Sequence, residues 1–388
     1  MLEVMRFSFI TRSNKVTSLK LKKMKIKLLL FVLFLGCNFF HVKAQVIETQ
    51  VNENVELMAI ISRLAGFSEY HMDLAGEYIT DMDEYFKEQT NHPIVQYMQK
   101  LREEYGISFD AVMSMAINLI NNNGTFSLIE DTMGGKWAKV DKTEFLSLLS
   151  RFYKDSKFNK FFIDHQNFYE KGLNFYRENV TKHFDVSWYE NFYGKEPQET
   201  FSIIIGFCNG GGNYEVNRQI TGQKREIFAV VGFIADQEKL SMYSKKLLPT
   251  LVHEFNHFFI NPLLDEIQYP DHVSKLESAA QYLYTSSKWA MSKQAYGNWK
   301  SMINESLVRA AVICYMLDEN YPQEEIKNEL VSQIQRNYRW MPELVCLLRK
   351  YEKEQSQYKC LENFYPHIID FFSDYAQQER DKIEASLK

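Results

Sequence analysis

Phe201-Ser202-Ile203-Ile204-Ile205-Gly206-Phe207 and Ile227-Phe228-Ala229-Val230-Val231-Gly232-Phe233-Ile234 are the stretches on which the fold of this 388-residue chain turns. Both are short and rich in β-branched and aromatic residues, the composition that suits a pleated, buried surface, so both are expected to be strands. Between them, Gly210-Gly211-Gly212 reads as a hairpin turn and Tyr214-Glu215-Val216 as a third strand. The expected sheet is therefore small and antiparallel. No Gly-Lys-Ser/Thr follows the glycine run, so it lacks the signature of a phosphate-cradling loop.

On both sides of this stretch the apolar period is helical. Val55, Leu57, Ile60 and Leu64, then Val95, Met98 and Leu101 after Pro93, recur at the spacing of one helix face. Asn121 to Gly124 and Gly134-Gly135 interrupt that pattern before further helical segments from Lys142 to His183. Helical periodicity returns after Asp236 and runs almost to the end, with Pro262, Pro270, Pro322, Pro342 and Pro366 as expected boundaries. With only 16 Gly and 8 Pro in the chain, punctuation is sparse, as it is in helix-rich proteins. The fold class expected is mainly α with a small antiparallel β-sheet (α+β).

The helix that follows the strands contains Leu251-Val252-His253-Glu254-Phe255-Asn256-His257-Phe258-Phe259-Ile260, an HExxH pattern. Two histidines four apart stand one turn above each other, about 6 Å along one helix face, so both imidazoles can reach one tetrahedral Zn²⁺. Glu254 then points beside the metal, where it can act as general base on a water. A catalytic zinc site needs a third protein ligand and an open position. The HExxHxxGxxH extension is absent, because Ile260 and Leu263 stand where its glycine and third histidine would be. A carboxylate from a second helix is the remaining source. Glu305 lies in an apolar helix where Ser306, Ala310 and Ala311 favour close packing, although it could instead pair with Arg309 on a surface face. Glu277 is the alternative, and His272 a third choice.

His253-Glu254-x-x-His257 with the later Ile303-Asn304-Glu305 resembles the thermolysin-like, or gluzincin, zinc peptidases. Their third ligand is a glutamate in an Asn-Glu pair on a following helix. The resemblance covers the active-site helices alone; 47 residues separate His257 from Glu305, a longer spacer than is usual there, and Arg309 stands where thermolysin has an Asp supporting a zinc-bound histidine. Over its length, including Leu64-Ala65-Gly66 and His92-Pro93-Ile94-Val95, the chain is similar to exported bacterial proteins carrying HExxH that are grouped as a domain of unknown function. The resemblance implies a zincin-like catalytic core and a zinc metallopeptidase with Zn²⁺ held by His253, His257 and Glu305. Glu254 would then take a proton from water and pass it to the leaving amine. The strand Ile227 to Ile234 would align an extended peptide or protein substrate by edge pairing.

Three regions follow. Lys22, Lys23, Lys25 and Lys27 precede an apolar run from Leu28 to Phe40, the order of a secretory signal, with Val42-Lys43-Ala44 as cleavage site. Residues 1–44 are thus expected to be a signal peptide, with Met24 as an alternative start, followed by an N-terminal helical region at 45–195 and the catalytic region at 196–388. The run is too short to span a bilayer, so the mature chain is expected to carry no transmembrane segment. The protein is expected to be exported, periplasmic or extracellular; a lipid anchor through Cys37 is the alternative, against which Phe34 and Leu35 count. Nine Lys or Arg against one acid fall in the first 44 residues, leaving the remainder acidic and unsuited to nucleic acid. Cys208, Cys314, Cys346 and Cys360 show no metal-ligand spacing and read as buried thiols or one structural bridge. A rival function is a non-catalytic exported protein that binds peptide or glycan through aromatic surfaces and keeps zinc as scaffold. An intact Glu254 counts against it, since a structural site needs no base.

Overall fold

The computed structural model describes residues 47–387 apart from 131–132, 197–198 and 236, and for 237–246 the backbone alone. The expected signal segment, the start at Met24 and the anchor at Cys37 lie outside the described residues. Helices α1 (Glu53–Leu64), α2 (Glu77–Phe86), α3 (Pro93–Tyr105), α4 (Asp110–Ile117), α5 (Lys142–Asp155), α6 (Phe158–Asp164), α7 (Gln166–Asn179) and α8 (Ser187–Tyr193) come first. After the strands follow α9 (Gln237–Ile260), α10 (Pro270–Ser292), α11 (Trp299–Asp318), α12 (Gln323–Gln335), α13 (Met341–Lys353), α14 (Gln355–Tyr358) and α15 (Leu361–Ser386). The strands are β1 (Glu48–Gln50), the pair β2 (Leu119–Asn122) and β3 (Thr125–Leu128), then β4 (Thr200–Gly206), β5 (Asn213–Arg218) and β6 (Glu226–Gly232). The fold is α+β, mostly helical with a small sheet.

That sheet is mixed, which corrects the antiparallel reading. Its order is β1-β4-β6-β5, with β1 parallel to β4, β4 parallel to β6 (Phe201 opposite Ile227) and β5 antiparallel to β6. Gly210 to Gly212 is consequently no hairpin turn. It carries the chain across the end of β6, so that β5 lands on the far side. A Cβ on Gly232 would meet the Gly210 carbonyl oxygen at 2.1 Å, so the crossing needs a bare Cα there. Ile203, Ile204, Ile205, Ile227, Ala229 and Val230 are wholly buried, as central strands covered on both faces require. On β5 Tyr214 and Val216 are buried while Asn213, Glu215 and Asn217 are not, the alternation of an edge strand.

Two smaller departures have local causes. The polar gap at 121–124 is the turn of the β2–β3 hairpin, where Asn123 and Gly124 have φ of 51° and 79°, both in the left-handed region that a tight two-residue turn demands. Pro366 is no boundary but lies inside α15. It forfeits one backbone bond, and the helix continues because Phe364, Tyr365, Ile368 and Ile369 bury around it.

A buried carboxylate ties the first helix to the sheet. Glu56 on α1 accepts from the backbone N–H of Phe207 (2.6 Å) and Cys208 (3.3 Å) and from the Tyr78 hydroxyl (2.7 Å), at the end of β4. Burial pushes its pKa up to about 7. On the other side α9 packs on β5, β6 and α11, and α11 in turn packs on α12 and α13. Cys208, Cys314 and Cys360 are buried, Cys346 is exposed, and all four are free thiols. No helix among the described residues is long and apolar enough to cross a membrane.

Candidate metal centre

Helix α9 is pinned from within. Leu251, Val252 and Phe255 are fully buried, and Phe255 meets the rings of Phe201 and Phe184. Asn256, also fully buried, accepts from the Tyr193 hydroxyl at 2.8 Å and donates to the Val308 carbonyl at 3.3 Å. These contacts fix the rotation of the helix, so His253, Glu254 and His257 are directed to the cleft side.

There the Nε2 atoms of His253 and His257 stand 3.2 Å apart with their ring planes at 80°. Glu305 reaches them from α11, its Oε1 3.3 Å from His257 Nε2 and its Oε2 3.7 Å from His253 Nε2. One donor atom from each of the three residues lies within 4.8 Å of the others. Glu277 is exposed on α10 and belongs to no such group. His272 bonds the Leu263 carbonyl at 2.9 Å and stacks between Tyr269 and Tyr365, a packing role. Of the three residues considered for the third ligand, Glu305 is the one brought to the histidines.

The geometry can be tested against zinc. Bonds of about 2.0 to 2.1 Å at tetrahedral angles place ligand atoms roughly 3.3 to 3.4 Å apart. The separations of 3.2 Å between the two histidine nitrogens and 3.3 Å from His257 Nε2 to Glu305 Oε1 match that edge length, while the 3.7 Å from His253 Nε2 is to the other carboxylate oxygen, Oε2. Two imidazole nitrogens and one carboxylate oxygen also match the donor preference of Zn²⁺ and leave one position of a tetrahedron open. Asn261 Oδ1 lies 3.3 Å from His257 Nδ1, so a proton on Nδ1 keeps Nε2 as the lone-pair nitrogen.

Electrostatics points the same way. Burial pushes His253 down to about 3 against the pull of Glu305, so its nitrogen is neutral and able to ligate. For His257 burial also opposes charge, but the Glu305 hydrogen bond and charge outweigh it and raise the group to about 9. Burial would raise Glu305, yet His253, His257 and Arg309 together hold it well below the usual carboxylate range. An ionised carboxylate thus recruits a cation, and in the metal-free chain a proton on His257 fills that role. Burial lifts Glu254 to about 7, the range in which a carboxyl both takes and returns a proton at neutral pH.

The cluster opens into a cleft of about 690 Å³ lined by His253, Glu254, Asn213, Arg309, Gln333 and Arg336, among others. Sequence reading missed the last four as a group. Glu325, Glu329 and Ser332 of α12 and Arg336 at its C-terminal cap, spaced by three or four, form a polar stripe that signals a face turned to solvent or a cleft. Asn213 announces itself only as the first residue of an edge strand. Glu305 and Arg309 do pair, at 2.9 Å, but in the interior and not on a surface face.

Nothing matches this chain among the curated proteins or among the solved structures. A family model does: it spans residues 47–371, from β1 into α15 and across the whole candidate site, and the chain therefore belongs to the family described as Domain of unknown function (DUF4932).

Proposed function

We propose that this chain is an exported zinc-dependent peptidase with a zincin-like, gluzincin-type catalytic core. The observation that carries the reading is the convergence of His253, His257 and Glu305 at the wall of a cleft that His253 and Glu254 line. His253, His257 and Glu305 would hold Zn²⁺. When bound, zinc supplies Lewis acidity toward the scissile carbonyl and toward a water molecule. Glu254 takes the water's proton on its carboxylate and delivers it to the leaving amine, a shuttle that its near-neutral pKa allows. The strand that aligns the substrate is β5 and not β6, because β6 is enclosed between β4 and β5 whereas β5 ends the sheet and its Asn213 lines the cleft. A peptide or protein is then the substrate class.

Purified mature protein should carry about one zinc per chain by elemental analysis, and His253→Ala should lose most of it. Glu254→Gln should keep the metal and lose turnover of a broad peptide library, since an amide cannot accept the proton. Absence of metal in the wild type would sink the site assignment. Bound zinc with no turnover, or a Glu254→Gln variant as active as wild type, would replace the peptidase with the non-catalytic binding protein or remove the base.

A further inference from the structure

Arg309 is an unusual neighbour for a metal ligand, because a fixed positive charge repels the cation that Glu305 would help to hold. It sits one helical turn beyond Glu305 on the same face of α11, and its Nη2 lies 2.9 Å from Glu305 Oε2. Both side chains are about nine-tenths buried, with 10% and 9% exposure. Solvent therefore does little to loosen the pair.

The guanidinium is itself held from three directions. Nη2 donates to the Tyr296 hydroxyl at 3.0 Å, in the connection between α10 and α11. Nη1 donates to Gln333 Oε1 on α12 at 3.3 Å, and the Gln333 amide in turn donates to Glu329. Its central carbon stands 5.3 Å from the centre of the Tyr338 ring. Such a planar, triply anchored fork cannot follow a carboxylate that swings.

The two oxygens of Glu305 consequently differ. Oε1 lies 3.3 Å from His257 Nε2, whereas Oε2 lies 2.9 Å from Arg309 Nη2 and stands farther from the histidines, 3.7 Å from His253 Nε2, close enough to join a metal if Arg309 released it. We infer that Arg309, braced by Tyr296 and Gln333, is a positioning residue that captures Oε2 and leaves Oε1 as the single carboxylate atom offered to the metal. This rests on the zinc reading above and adds to it. A carboxylate free to use both oxygens would fill the position that catalysis needs open, and the repulsion between Arg309 and the metal is the cost of keeping it open.

Cobalt(II) in place of zinc supplies a visible readout, since four-coordinate cobalt absorbs several-fold more strongly than five- or six-coordinate cobalt. Wild type should give the intense spectrum. Arg309→Met, which keeps the length of the side chain and removes its donors, should lose much of that intensity as the second oxygen joins, and Arg309→Lys should fall between the two. Gln333→Leu leaves every charge in place but removes one brace of the guanidinium, and should lose part of the cobalt intensity in the same direction as Arg309→Met. A folded Arg309→Met variant with the wild-type cobalt spectrum overturns the inference while leaving the zinc site standing. If Arg309→Met does not fold, Gln333→Leu decides, and a wild-type cobalt spectrum there is the overturning result. A wild-type chain that binds neither cobalt nor zinc overturns this inference and the proposed function together.

Discussion

Glu305 and Glu277 are the same side chain in different surroundings: the first faces two imidazole nitrogens and a guanidinium, the second faces solvent. Glu305→Gln should weaken zinc affinity by ~10-fold or more, as losses of that size follow even from outer partners, whereas Glu277→Gln should leave it unchanged. Competition against a chromophoric chelator compares the two directly, and equal affinities would remove Glu305 from the ligand set. At this scale the sequence was informative where chemistry is local. His253 and His257 are legible because four residues make one helical turn. The bracing of Glu305 was not legible, because Arg309 takes its anchors from residues 13 and 24 positions further along or back, on other elements.

Among the elements, β4 and β6 were legible as strands and illegible as partners. Consecutive strands usually pair, which made an antiparallel meander the natural expectation, and one crossing over the end of β6 changes the order. The sequence does hold a trace of the true arrangement. Continuous apolar runs mark β4 and β6 as central, while the alternation in β5 marks an edge. The crossing makes Gly232 a sensitive position. Gly232→Ala sets a methyl carbon against the Gly210 carbonyl, backbone against backbone, and should cost upward of ~2 kcal/mol as the loop is forced away. Gly297→Ala, with open space around it, should be close to neutral. Denaturant midpoints of the two variants test this, and an unperturbed Gly232→Ala would show that the loop does not lie against β6.

For the whole molecule the informative group is Glu56, which helical periodicity alone would have assigned to solvent. The structure buries α1 from Val55 to Ile61 on every side, and the backbone donors that satisfy the carboxylate lie about 150 residues downstream. Its pKa, raised from 4.5 to about 7, means that the folded state binds the proton more tightly than the unfolded chain does. Stability from this group is therefore full below about pH 4.5 and is lost as pH rises through 7, by a few kcal/mol at most. Glu56→Gln, which can still accept from Phe207 N–H and meet Tyr78, should flatten the fall in melting temperature between pH 5 and 8. An identical pH profile for variant and wild type would show that Glu56 does not titrate in that window.

The same tie governs the order of assembly. Glu56 has no backbone donors to receive it until Phe207 and Cys208 exist, and β1 has no parallel partner until β4 does. Closing the core of the N-terminal helices before then leaves Glu56 with the Tyr78 hydroxyl but without its two backbone donors, and leaves β1 with an unpaired edge, each at a cost in free energy. Docking of two segments about 150 residues apart carries the loop-closure entropy of that whole span, and contacts of this separation are the kind that slow folding.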